Sequence, residues 1–170
     1  MCTSMVAMGI RYYAYTWPAE DLDMVLRNPR AALSDDPFDD VFLTPPDEQP
    51  DMLYLDKMWP DFQQLTSPAE HEHPRPSYRM FEGNVSYCAD EGWACWYPWY
   101  RAIAPDETGV IARDLASITD AEVTARFGTG DAPQSRHRNT RSALCANLDA
   151  ARKFTERAAE QGRGLVYMIG

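Results

Sequence analysis

The stretch from Leu53 to Ser67 reads Leu-Tyr-Leu-Asp-Lys-Met-Trp-Pro-Asp-Phe-Gln-Gln-Leu-Thr-Ser. Leu55, Met58, Trp59, Phe62 and Leu65 recur at offsets of three, four and seven, which lines them along one face of a helix. A face that large and aromatic has to be covered, so the rest of the chain is expected to dock around it. Pro60 complicates the pattern. Proline inside a helix removes a hydrogen bond and clashes with the carbonyl four residues back. Either the helix proper starts near Trp59, with Pro60 in its first turn, or Pro60 kinks a longer helix.

A chain of 170 residues with 45% hydrophobic and 12% aromatic residues fits one folded domain, 1–170, with a substantial core. Its 13 prolines fall in connections, which predicts long ordered loops. The net charge of −10 repels phosphate backbones and anionic lipid, which argues against nucleic acid and membrane surfaces as partners. The same charge suits solubility or a basic protein partner. No run approaches the ~18 apolar residues of a membrane span, and the first ten residues lack a basic leader. Cys2, Cys88, Cys95 and Cys145 show no Cys-x-x-Cys spacing. Reduced thiols in a cytoplasmic protein are the expectation.

Ile10 to Tyr15 alternates as a strand, with Ile10, Tyr12 and Ala14 on one face and Arg11, Tyr13 and Tyr15 on the other. Thr16-Trp17-Pro18 starts a helix whose buried stripe is Leu22, Val25 and Leu26, stopped at Asn28-Pro29. Residues 34–51 are acidic and proline-bearing, with Asp35, Asp36, Asp39, Asp40, Asp47, Glu48 and Asp51, and read as an irregular surface segment. The ordered carboxylate ladder of an EF-hand is missing, so a solvated loop is favoured there over a cation site. Tyr78 to Tyr87 predicts two short strands around Glu82-Gly83-Asn84.

In the second half, Ala104-Pro105-Asp106-Glu107 opens a helix carrying Ile111, Leu115 and Ile118. Thr119-Asp-Ala-Glu122 is a capping box, and Gly128 ends the short helix behind it. Residues 128–141 form a polar loop with Arg136, His137, Arg138 and Arg141; without a glycine-rich cradle it is weak evidence for an anion site. A long helix from about Ser142 to Gln161 buries Leu144, Leu148, Ala151, Phe154 and Ala158, and Gly162 stops it. Leu165 to Ile169 is a strand near the sheet interior.

The segment 87–100 holds Tyr87, Trp93, Trp96, Tyr97, Trp99 and Tyr100 with Cys88 and Cys95. Aromatics with polar tips build cores and binding surfaces alike. The loop Glu70-His71-Glu72-His73 has alternating zinc-type donors, but the only other histidine is His137, so an exposed polar loop is the simpler reading. No nucleophile elbow, phosphate loop, dinucleotide fingerprint or His-Glu-x-x-His occurs. A Cys–His pair drawn from Cys88 or Cys95 with His71 or His73 stays open, since such pairs meet in space.

Leu53-Tyr-Leu-Asp-Lys-Met-Trp followed by Phe62-x-x-Leu65-Thr-Ser resembles the Leu-Asp-Lys-x-Trp…Leu-Thr-Gly signature of the YfbM-like bacterial family, a domain of unknown function. Ile103-Ala-Pro-Asp-Glu and Phe154-x-x-Ala158-x-x-x-Gly162 agree in order. The resemblance implies an α/β domain with a mixed β-sheet flanked by helices, and it supplies no catalytic residues. Pro60-Asp61 stands where that family carries His-Gly.

These readings favour a non-catalytic binding module without a cofactor or metal. Its partner is expected to be basic, one form being an immunity-type partner that masks a basic toxin or enzyme. The candidate surface is Asp35, Asp36, Asp39 and Asp40 with Trp93, Trp96, Tyr97 and Trp99. The alternative is a small enzyme with a pocket near Trp93, Trp96 and Tyr97 and the His71/His73 loop.

Overall fold

A computed structural model describes residues 9–67, 73–89, 92–128 and 141–170, with 92–94 as backbone only. Strand β1 (Tyr12–Trp17) pairs antiparallel on one side with β2 (Met52–Asp56) and on the other with β6 (Gly164–Ile169). Strand β5 (Trp99–Ile103) completes the sheet antiparallel to β6, giving the order β2-β1-β6-β5. The α/β class is as expected. In detail, every pairing is antiparallel where a mixed sheet was anticipated. The chain's last strand does lie inside the sheet, and its apolar run Leu-Val-Tyr-Met-Ile is covered on both faces.

Alternation along β1 divides the interior into two cores. Tyr12 and Ala14 point to one face, where Leu53, Leu55, Ile103, Leu165 and Tyr167 join them. That face is covered by α3 (Trp59–Thr66), α4 (Pro105–Ser117), α5 (Asp120–Phe127) and α6 (Arg141–Glu160). Tyr13, Tyr15 and Trp17 point to the other face, against Val25 of α1 (Leu22–Arg27) and Val41 of α2 (Pro37–Phe42).

The stretch from Leu53 to Ser67 is two elements, and of the two alternatives for Pro60 the structure has the first, a helix that starts at Trp59. Leu53 and Leu55 sit in β2, and the helix begins at Trp59 with Pro60 in its first turn. Leu53 and Leu55 are two residues apart, a spacing that puts both on one face of a strand but on different sides of a helix. Asp56, at φ 49°, turns the chain between them. Trp59 and Phe62 are buried, at 9% and 0% exposure.

Other expectations are corrected. The first helix does not start at Thr16; β1 runs through Trp17, whose indole Nε1 donates to the Leu165 carbonyl at 2.8 Å and so fixes it to the sheet. On α1 Val25 is buried, Leu22 half-buried and Leu26 50% exposed. The acidic segment is not wholly irregular: Asp36 caps α2, accepting from the Asp39 amide at 3.1 Å, with Pro37 at the first helical position. Residues 76–80 form a turn of 3₁₀-helix instead of a strand, and β3 (Ser86–Cys88) pairs with β4 (Gly92–Tyr97).

The later helices follow their signals. Thr119 accepts from the Glu122 amide at 3.2 Å while the Glu122 carboxylate accepts from the Thr119 amide at 2.7 Å. Leu144, Leu148, Ala151, Phe154 and Ala158 are buried on α6. Arg152 of α6 reaches the end of α4, where it donates to the Leu115 carbonyl at 3.1 Å and the Ile118 carbonyl at 2.5 Å. It thereby satisfies acceptors that a helix C-terminus leaves open. Among the described residues no helix is long and apolar enough to cross a membrane.

Candidate functional site

The acidic segment and the aromatic hairpin meet around α2. The helix lies on the second face of the sheet through Val41, with Phe42 against Tyr54. Phe42 meets the tilted Phe38 ring at 4.6 Å and the Tyr54 ring edge-on at 5.6 Å, and lies under Arg11 at 5.9 Å. Near its N-terminus a small hollow of about 160 Å³ is walled by Asp36, Phe38, Arg11 and Trp96. Asp36 and Trp96, two of the residues singled out from the sequence, are therefore neighbours.

The remaining candidates separate. Asp35 and Asp39 are exposed, and the Asp36 carboxylate is engaged at the cap. Asp40 turns inward, where its Oδ2 accepts from the Tyr15 hydroxyl at 2.7 Å. Burial, and then this bond to Asp40, push the Tyr15 phenol far above the usual tyrosine range, so it stays a neutral donor. Tyr97 is 67% exposed. Trp99 is half-buried against Gly83, whose lack of a side chain makes room for the indole: a Cβ there would stand 2.3 Å from the ring. Trp93 lies where only backbone is described. His71 and His137 lie outside the described residues, and His73 is exposed.

The expectation of reduced thiols is overturned for two cysteines. Cys88 and Cys95 form a disulfide across the β3–β4 hairpin, with Cα atoms 5.4 Å apart. Spacing gave no hint of it, because the pair is brought together by the turn and not by a motif. Bonded sulfurs supply no thiolate, so neither residue serves as the nucleophile of a Cys–His pair in this form. Cys145 is a free thiol on α6. Among the described residues no group of three or more His, Cys, Asp or Glu side chains is placed to hold a metal.

A feature the sequence did not announce is a cleft of about 650 Å³ at the end of the sheet where β1 leaves and β6 enters. Tyr15 and Thr16 line it from β1 and Arg163 from the turn before β6. Ala32, Leu33 and Ser34 line it too, as do Asp40, Glu48 and Asp51 of the acidic segment. Asp51 accepts from Arg157 Nε at 3.2 Å and from its Nη2, which neutralises it. A second groove, of about 560 Å³, runs between α4 and α6 along Ala112, Ala116 and Ala159. Comparison with protein families, with curated proteins and with solved structures finds no match.

Proposed function

We propose that the chain is a non-catalytic binding module that recognises a basic protein through the exposed side of its acidic segment. One observation supports this most: Leu43 is 70% exposed and Phe42 48% exposed, in the same segment of chain as the exposed Asp35, Asp39 and Asp47. Exposed apolar groups on a mostly acidic segment have the composition of a protein interface, where the aliphatic and aromatic groups supply burial and the charged groups select the partner and speed encounter. Tyr87 and Tyr97, 56% and 67% exposed on the β3–β4 hairpin, extend the aromatic character of the surface. The net charge of −10 favours a cationic partner over phosphate backbones or anionic lipid. In the YfbM-like bacterial setting that the sequence resembles, an immunity-type role against a basic toxin is the concrete form of this reading. The loss of Cys88 and Cys95 as thiols weakens the enzymatic alternative, and it also removes reduced cysteine as an argument for a cytoplasmic site.

Affinity capture from native cells with three baits tests the reading: the unaltered chain, an Asp35→Lys/Asp39→Lys variant, and Leu43→Asp. A basic protein held by the first bait, released by salt, and lost with the other two is the result expected. Equal retention on all three baits removes the reading.

A further inference from the structure

The cleft at the β1–β6 end holds charges that the fold leaves uncompensated. Arg163 is half-buried there, its guanidinium makes no hydrogen bond or ion pair with any described residue, and its Nε is sealed from solvent without an acceptor. Glu48 lines the same space, and its side chain also has no partner among the described residues. Asp40 accepts from the Tyr15 hydroxyl and has no cationic partner among the described residues. Asp51 is cancelled by Arg157. One guanidinium and two carboxylates thus face a shared cleft of about 650 Å³ without closing on one another. That volume is in the usual range of small-molecule sites. Arg163 is partly withdrawn from water and left without a counter-ion, which is costly, and an occupant carrying a carboxylate removes that cost, while Asp40 and the exposed Glu48 offer acceptors to its cationic groups.

We propose that this cleft binds a free basic amino acid, lysine. Its carboxylate pairs with Arg163, and its two cationic groups pair with Asp40 and Glu48. Such a ligand has one anionic and two cationic groups, the complement of the lining. Ser34 and Thr16 supply hydroxyls, and Ala32 and Leu33 supply apolar wall for the aliphatic stem. The inference stands apart from the protein-partner reading, since none of Asp35, Asp39, Phe42 or Leu43 lines the cleft.

The test is a titration of the ¹⁵N-labelled full chain with four probes: L-lysine, L-norleucine, cadaverine and Nα-acetyl-L-lysine. Norleucine lacks the side-chain amine, cadaverine lacks the carboxylate, and the acetylated form imitates a peptide's C-terminal lysine. L-lysine is expected to saturate and to move the Arg163 Nε–Hε resonance. Each of the other three is expected to bind about tenfold or more weakly, for one lost charge-assisted pair. Arg163→Gln should abolish the preference for lysine over cadaverine, and Glu48→Gln, at an exposed position, should narrow the preference over norleucine. Absence of saturation by lysine overturns the proposal. So does equal affinity for norleucine or acetyl-lysine, or binding that leaves the Arg163 resonance in place. Should either variant fail to fold, the probe series on the unaltered chain still decides.

Discussion

Gly164 and Gly162 stand two residues apart, and different physics holds each one as glycine. A Cβ at Gly164 would lie 2.2 Å from the Trp17 ring and 2.7 Å from the Ile103 carbonyl oxygen. The indole is itself held by its bond to Leu165, and a backbone oxygen cannot step aside. Gly164→Ala is therefore expected to destabilise by roughly 1–3 kcal/mol or more, the cost of overpacking. Gly162 has open space around it and a φ of +63°, so Gly162→Ala meets only left-handed strain, about 1–2 kcal/mol, and Gly162→Asn less still. Urea unfolding followed by tryptophan fluorescence separates the two. Only the first substitution should also shift the native emission, because only it displaces Trp17.

Glu122 gives a second residue-scale expectation. Its carboxyl is held below the usual glutamate range, first by the Thr119 amide and then by the Thr119 hydroxyl and Arg75, with partial burial opposing. A depressed folded-state value means that ionised Glu122 favours the folded form. The contribution is complete above the ordinary carboxylate range and is lost as pH falls through the lowered value. Glu122→Gln should thus reduce stability at neutral pH and make the remaining stability fall less steeply on acidification. Thermal melts between neutral pH and the acid limb read this out. A variant whose acid limb matched the parent's would show that the box makes no net contribution.

At the scale of elements, what could be read depended on whether the signal was local. The α5 capping box, the α6 stripe and the stops at Gly128 and Gly162 are local chemistry, and they stand where the pattern put them. The stretch from Leu53 to Leu65 misled because Leu55, Met58, Trp59 and Phe62 satisfy a helical period while the chain changes element at Asp56. The two elements meet the same core, so the period carried on across the turn. The acidic, proline-bearing sequence of helix α2 looks solvated, although Asp36-Pro37 is a sound start and Val41 faces the sheet. The disulfide and the Arg163 cleft were illegible because each joins residues that only the fold brings together. Two expectations belong here. Phe62→Ala, at a fully buried site on α3, should cost about 3–5 kcal/mol by urea titration. Thiol alkylation of the native chain followed by peptide mapping should label Cys145 while sparing Cys88 and Cys95, and labelling of all three would refute the hairpin bond.

Across the whole molecule, 26 acidic residues face 16 basic ones, so a net charge of −10 remains whatever pairs form. Surface pairs such as Arg11–Asp56 at 3.0 Å and Arg79–Glu107 at 3.2 Å gain at most about 1 kcal/mol each, and salt weakens them. Folding concentrates the surplus negative charge into a smaller volume, and salt relieves that repulsion. Screening over a Debye length that shortens from ~30 Å at 0.01 M to ~8 Å at 0.15 M relieves the compact form by roughly 2 kcal/mol more than the expanded one. Relief of self-repulsion outweighs the tenths of a kcal/mol lost per surface pair. Added sodium chloride should therefore raise Tm at pH 7 by about 4–8 °C over that range, on the usual scaling for a chain of this size. Near the isoelectric point, about 4.7, the surplus vanishes while the pairs largely remain, so the same salt should leave Tm flat or lower it. A calorimetric series at the two pH values checks the sign. If salt raised Tm equally at both, general surface exclusion of the salt would be the cause, and the acidic surplus would carry no measurable strain in the folded form.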